Sequence, residues 1–167
     1  LSREDFTAMA DIAHEEGVFQ ESESIVIKNL LKFDEIFAKD VMTPRTVMKT
    51  APESKTIKDF FDENPKLRFS RIPIYKDKAD KITGFVLKDT LLEEMIHDNG
   101  DSPLSTIKRD ILVVARNKPI PDLFETFISQ RQHIALVVDE YGSVSGLVTM
   151  EDVIETLLGL EIVDESD

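Results

Sequence analysis

The chain has 167 residues, 41% of them hydrophobic, and a formal charge of −13 from 20 Lys plus Arg against 33 Asp plus Glu. That hydrophobic share supports a real core and excludes wholesale disorder, while the charge excludes nucleic-acid binding and electrostatic docking on anionic lipid, which need clustered Lys and Arg. There is no cysteine, which excludes disulfide scaffolds, thiolate zinc sites and cysteine nucleophiles, and no run approaches the ~18 apolar residues of a bilayer-spanning helix.

The charge is unevenly spread. Residues 1–40 carry ten acids and four bases, residues 155–167 five acids and no base, and residues 41–154 eighteen acids and sixteen bases. This pattern implies a nearly neutral folded body with an acidic segment at each end. The chain begins at Leu1 with no methionine and no signal-peptide pattern, and is expected to be part of a longer protein.

In chain order, the first predicted element is a helix capped at Ser2, with Phe6, Met9, Ala10 and Ala13 at helical spacing and Gly17 as its stop. A second runs from Glu23 to Phe33, with Ile25, Val26, Asn29, Leu30 and Phe33 on one face. Two short amphipathic helices cannot bury their own apolar faces. They are expected to pack on the body, on a symmetry mate or on sequence upstream.

The body reads as an internal repeat. At an offset of 62, Arg71-Ile72-Pro73-Ile74-Tyr75 falls on His133-Ile134-Ala135-Leu136-Val137, Asp77 on Asp139, Gly84 on Gly146 and Val86 on Val148. Upstream, Ile57 to Phe61 falls on Ile120 to Phe124 at an offset of 63, one gap away. Each copy reads as a short strand (Val47-Met48; Ile111 to Ala115), a helix (Ile57 to Glu63; Ile120 to Ser129) and a strand (Ile72 to Tyr75; Ile134 to Val138). A polar turn (Lys76 to Lys81; Asp139 to Ser143), a strand through the glycine and a second helix (Thr90 to Ile96; Asp152 to Leu158) complete it. The predicted class is α/β, each copy ordered β-α-β-β-α, and units of this size should pack on each other. Pro73 inside a strand predicts an edge or irregular pairing position. Phe60, Phe61, Phe124 and Phe127 are predicted core.

This order resembles the CBS motif, and the pair resembles a CBS pair, or Bateman module. Asp40-Val41-Met42-Thr43-Pro44-Arg45, Ser70-Arg71-Ile72-Pro73 and Gly84-Phe85-Val86-Leu87-Lys88-Asp89 are similar to the first copy of the CorC/HlyC (TlyC, hemolysin-like) family. His133 to Gly142 and Gly146 to Glu155 are similar to its second copy, and the cyclin M (CNNM) magnesium-transport mediators share much of the pattern. The resemblance covers about residues 34–160. It implies a pseudo-two-fold pair, divided as 1–38 helical connector from an N-terminal membrane domain, 39–98 first motif, 103–160 second motif and 161–167 acidic tail or linker to a C-terminal domain. It also implies a cytosolic position beneath a plasma- or inner-membrane domain, and a homodimer.

Among residues that could carry chemistry, Thr149-Met150-Glu151-Asp152 stands where a strand turns into a helix. A helix start offers unpaired N–H groups and partial positive charge to a phosphate. Thr149 could donate to a phosphate and Asp152 accept from both ribose hydroxyls, yet Thr-x-x-Asp before an apolar run is more often a capping box that merely starts a helix. The resemblance favours the ligand reading, since the pattern matches the adenosine-nucleotide signature of CBS motifs. The first copy departs from it, with Leu87 in the threonine slot and the carboxylate one residue early at Asp89, about 100° round a helix. One nucleotide per pair is therefore expected, ATP or AMP, with or without Mg2+.

The other contacts implied by the resemblance are weighed against plainer readings. Arg71 offers charge for phosphate or is a solvated strand end, and His133 is a second such group or a hydrogen-bonded structural histidine. Thr46 and Val47 resemble nucleotide-contacting positions, and Ser70 and Pro73 flank Arg71 in the same stretch. Phe69 would stack on adenine or join the core. Glu151 would orient a magnesium held mainly by phosphates or is an exposed helix acid. His14-Glu15-Glu16 lacks the histidine pair of a zinc helix, and no Ser-His-Asp set, P-loop or dinucleotide fingerprint is present. The chain is therefore read as a non-enzymatic nucleotide-sensing module, the alternative being an interaction scaffold with a vestigial site that holds a membrane protein's dimer together.

Overall fold

The computed structural model describes residues 35–159. The helices expected over residues 2–17 and 23–33 and the tail 161–167 lie outside the described residues. In chain order the elements are α1 (Ala38–Val41), β1 (Thr43–Pro44), β2 (Ala51–Pro52), α2 (Ile57–Glu63), β3 (Arg71–Tyr75), β4 (Ile82–Leu87) and α3 (Lys88–Ile96), followed by β5 (Leu112–Ala115), α4 (Ile120–Gln130), β6 (Ile134–Val138), β7 (Val144–Thr149) and α5 (Met150–Leu158). Short 3-10 turns span Arg45–Val47 and Leu104–Ile107.

The strands form two mixed sheets, ordered β2-β3-β4 and β1-β7-β6-β5. Each repeat contributes a parallel pair joined through a helix (β2·β3 and β5·β6) and an antiparallel pair joined by a turn (β3·β4 and β6·β7). Helix α2 starts where the Thr56 hydroxyl accepts from the Asp59 N–H at 3.1 Å, an N-cap that satisfies one orphan donor. It lays Ile57 and Phe60 against Ala51, Ile72, Ile74, Val86 and Leu91. Helix α4 does the same in the second repeat, burying Ile120, Leu123 and Phe127 against Ala135, Val137, Val148 and Val153. Each such side chain contributes roughly 1.5–3 kcal/mol of transfer free energy, so every repeat has its own core. Phe61 and Phe124 are partly buried at the margins of these cores.

Strand pairing corrects the repeat alignment. Gly84 stands opposite Ile74, and its counterpart Gly146 opposite Val137. Ala51 pairs with Ile74, and Val114 with Val137. The second strand of each repeat, β3 or β6, therefore superposes at an offset of 63, continuous with the preceding helix, and the extra residue of the first copy sits in the turn after Tyr75. The structural partner of Arg71 is Ile134, and that of His133 is Ser70. The same backbone bond verifies it: Lys88 N donates to Ser70 O at 2.8 Å, and Met150 N to His133 O at 2.9 Å. A one-residue slip moves every strand side chain to the opposite face.

The expected first strand at Val47-Met48 is also corrected. Arg45–Val47 form a 3-10 turn that leaves Val47 63% exposed, and the strand beside β3 is Ala51–Pro52. Burial decides the difference, because the small Ala51 fits the first core whereas Val47-Met48 lie where the chain crosses between sheets. Helices α3 and α5 each begin two residues before the predicted start. Pro73 lies in the middle strand of its sheet, but β2 reaches only Ile74 and Tyr75, so β3 is an edge at Pro73 and its missing N–H costs no ladder bond.

The two repeats exchange their leading segments. Thr43–Pro44, which precedes the first repeat, pairs antiparallel with β7 of the second. Arg109, which precedes the second, pairs with Phe85 of the first, through Phe85 N to Arg109 O at 2.9 Å and Arg109 N to Phe85 O at 2.8 Å. Glycine is required at both crossings: a Cβ on Gly146 would run into the Thr43 carbonyl, and one on Gly84 into the Arg109 carbonyl. The cores follow the exchange, since Ala38 is buried in the second core and Leu104 in the first. The leading segment of each stretch, Thr43–Pro44 in 39–98 and Arg109 in 103–160, thus lies against the other repeat.

Candidate functional site

A cavity of about 340 Å³ opens between the two repeats, within the size range of small-molecule sites. It is lined by Pro73 from β3, Ile134 and Leu147 from β6 and β7, Thr43 with Val47, Met48 and Lys49, the Arg68–Arg71 stretch, and Thr149, Glu151 and Asp152 at the start of α5. An adjoining hollow of about 340 Å³ shares Lys49, Arg68 and Phe69 and adds Lys66.

The start of α5 is built by its sequence. The Asp152 N–H donates to Thr149 Oγ1 at 3.2 Å, and the Thr149 N–H donates to Asp152 Oδ2 at 3.1 Å, which together form a capping box. Capping does not exhaust either side chain. The Thr149 hydroxyl still has its own proton to donate, and Asp152 Oδ1 can still accept. Capping therefore orients the polar groups of this helix start toward the cavity that Thr149, Glu151 and Asp152 line. At the start of α3 the N-cap is Leu87, without a side-chain bond, and Asp89 takes the second helical position, whereas Asp152 takes the third.

The charge here differs from that of the whole molecule. Lys49, Arg68 and Arg71 meet Glu151 and Asp152 around the cavity, three cations against two carboxylates in a chain of net charge −13. Arg71 Nη1 lies 3.8 Å from Glu151 Oε1, which links the first repeat to the second. Two apolar side chains at the rim, Val47 and Phe69, are 63% and 52% exposed and offer an uncovered surface to a planar ring.

Of the residues singled out from sequence, Val47, Phe69, Ser70, Arg71, Pro73, Thr149, Glu151 and Asp152 line this cavity. Thr46 and His133 do not. Thr46 is exposed on the 3-10 turn, and His133 is exposed just before β6. The register correction takes the histidine off the place of Arg71: it occupies that of Ser70 in the other repeat, with its carbonyl engaged by Met150 N. Thr43, Met48, Lys49, Arg68, Ile134 and Leu147 also line the cavity and were missed. Arg68 had one usable signal, the run of bases Lys66, Arg68 and Arg71 in an otherwise acidic chain, and Lys49 had none.

Two β-α-β-β-α repeats facing each other across a shared cavity, with a capped helix start at its edge, define a CBS pair. Residues 104–159 match the CBS domain family. The fold is similar to the structure of the CBS domain of the bacterial CNNM/CorC family Mg2+ transporter, with a TM-score of 0.77, 30% identity, and coverage of 95% of this chain and 97% of that one. The structure of that domain in complex with ATP is similar at a TM-score of 0.75 and 30% identity, over 82% of this chain and 97% of that one. The magnesium and cobalt efflux protein CorC of Escherichia coli K12 is 30% identical over 166 residues, which is 99% of this chain and 56% of that protein. This chain belongs to the CBS domains of the CNNM/CorC family. It spans about half the length of the curated relatives it matches, and no helix among the described residues is long and apolar enough to cross a membrane.

Proposed function

We propose that this chain is the regulatory nucleotide-binding unit of a CorC-type membrane protein that moves divalent cations, and that it takes one adenosine nucleotide, with or without magnesium, between its repeats. The observation that carries this reading is the cavity that Thr149 and Asp152 at a helix start line together with Lys49, Arg68 and Arg71. Asp152 Oδ1 would accept from ribose, and the Thr149 hydroxyl with Arg71 would receive phosphate oxygens. Val47 and Phe69 would cover the base. The basic hollow beyond Arg68 has room for further phosphates. Among the described residues no three acidic or histidine side chains converge as a metal site, so a magnesium ion would rest mainly on phosphate oxygens with Glu151 nearby.

The unit would act on the cytosolic side of the membrane and as a homodimer. Helices α3 and α5 expose Leu92 and Ile96, and at matching places Ile154 and Leu158. Apolar pairs four residues apart make a stripe on each helix suited to a second copy. Binding, not catalysis, is the proposed role, so bound nucleotide should release no phosphate.

A second reading, a scaffold with a vestigial site, is favoured by one observation: Thr149 and Asp152 already satisfy each other's backbone, so capping alone accounts for both residues. Calorimetry with ATP, ADP and AMP, each with and without Mg2+, separates the two. Saturable heat supports sensing, and none at millimolar nucleotide leaves the scaffold.

A further inference from the structure

Residues 36–52 run from the second repeat to the first directly over the cavity. Their anchors at the upstream end all belong to the second repeat. Ile36 O accepts from Ile120 N at 2.9 Å, Ala38 N donates to Lys118 O at 2.9 Å, and Lys39 N donates to Arg116 O at 3.0 Å. Ala38 is fully buried in the second core. Two residues of β1 then pair with Leu147 and Gly146. Thr43 and the stretch Val47–Lys49 line the cavity that Thr149 also lines, and Ala51–Pro52 finally join β3 in the first repeat.

This attachment is short: one four-residue helix and one two-residue strand. Of residues 36–49 only Ala38 is fully buried, with Ile36, Val41 and Met42 packed partly against the second core, so detaching the segment exposes less apolar surface than unfolding either repeat. A ligand in the cavity would touch the segment on one side and β7 with α5 on the other, so detachment would break ligand contacts as well. The pseudo-symmetric crossing at Phe85 and Arg109 makes a similar backbone exchange, but neither residue lines the cavity.

Resting on the nucleotide reading above, we infer that residues 36–49 are the element that transmits occupancy of the cavity to the chain preceding them. Nucleotide pins the segment to the second repeat, and displacement of the segment from upstream loosens nucleotide by the same factor, because binding linkage is reciprocal. The occupied state therefore fixes where the upstream chain is held, at Ile36 to Lys39, and the empty state lets that point move.

Amide hydrogen exchange on the 1–167 chain tests this, with Mg-ATP at saturation and calorimetry on the same sample. At about 100 times the dissociation constant, exchange at Ala38 and Lys39 that is governed by the opening equilibrium should slow by up to about 100-fold, and that at Phe85 and Arg109 by less, where it proceeds through local opening. Calorimetric binding with no slowing at Ala38 and Lys39, or with equal slowing at both crossings, overturns the inference and leaves the nucleotide reading standing. Absence of binding heat overturns the nucleotide reading itself, and the inference with it.

Discussion

Arg71 of the first repeat and Glu151 of the second approach to 3.8 Å at the mouth of the cavity, beyond hydrogen-bond reach. Their side chains are 23% and 62% exposed, so solvent screens the pair and its contribution to stability is at most about 1 kcal/mol. Its importance lies in position: an anionic ligand entering the cavity meets the cation and the carboxylate together. Arg71→Ala should leave the denaturation midpoint almost unchanged and weaken ATP binding about tenfold or more, since charge-assisted hydrogen bonds contribute roughly 1.5–3 kcal/mol. Glu151→Gln should strengthen binding of metal-free ATP. Titration calorimetry with parallel melts checks both.

The capping role of Asp152 and Thr149 can be separated from the proposed ligand role. Removing either side chain deletes a cap, at a cost of about 0.5–2 kcal/mol, readable as a lower urea midpoint. Asp152→Asn keeps a capping oxygen but loses the charge that favours a ribose contact. It should retain most of the stability and still bind ATP more weakly than the parent chain. A variant with unchanged affinity would remove Asp152 from the site.

The glycines at the two strand crossings should be intolerant of substitution. Gly84→Ala and Gly146→Ala each drive a Cβ into a backbone carbonyl that cannot rotate away, and overpacking of this kind costs about 1–3 kcal/mol. Gly142 has a positive φ of 79° but nothing within 4 Å of an added Cβ, so Gly142→Ala should cost less, about 1 kcal/mol from backbone strain alone. Urea denaturation of the three variants gives the ranking.

Glu53 fastens the link between repeats. Its carboxylate accepts from Thr83 Oγ1 at 2.8 Å and from Lys108 Nζ at 3.1 Å, while its carbonyl accepts from Ser105 N at 2.9 Å. The Thr83 hydrogen bond first, and then that from Lys108, holds the carboxyl below its ordinary value of 4.5. A depressed folded-state pKa gives stability that is complete above the unfolded-state value and is lost as pH falls through the folded-state value. Acid should therefore loosen the 104–108 link, and Glu53→Gln should flatten the dependence of the melting temperature on pH below about 5.

The parts legible in the sequence were those with local periodicity. Helices α2 and α4 and strand β6 show apolar residues at the expected spacing and sit where that spacing placed them. The strand exchange was not legible, because Thr43–Pro44 and Arg109 carry no periodic signal and their partners lie far along the chain. The repeat alignment slipped by one residue because Arg71 and His133 are both basic and each precedes or begins an apolar strand. Only the hydrogen-bonding register puts the extra residue in the turn after Tyr75. The cavity's helix start was readable from Thr149 and Asp152, whereas Lys49 and Arg68 come from irregular segments that only the fold brings to the same cavity.

The central claim is that one nucleotide binds per chain, between the repeats, at the start of α5 and not at the start of α3. Calorimetric titration of ATP with Mg2+ into the chain and into its Asp152→Ala variant measures this directly. The account predicts saturable heat with a stoichiometry of one in the parent, and affinity at least about tenfold weaker in the variant. Two sites per chain, unchanged affinity in Asp152→Ala, or no heat at millimolar nucleotide would contradict it.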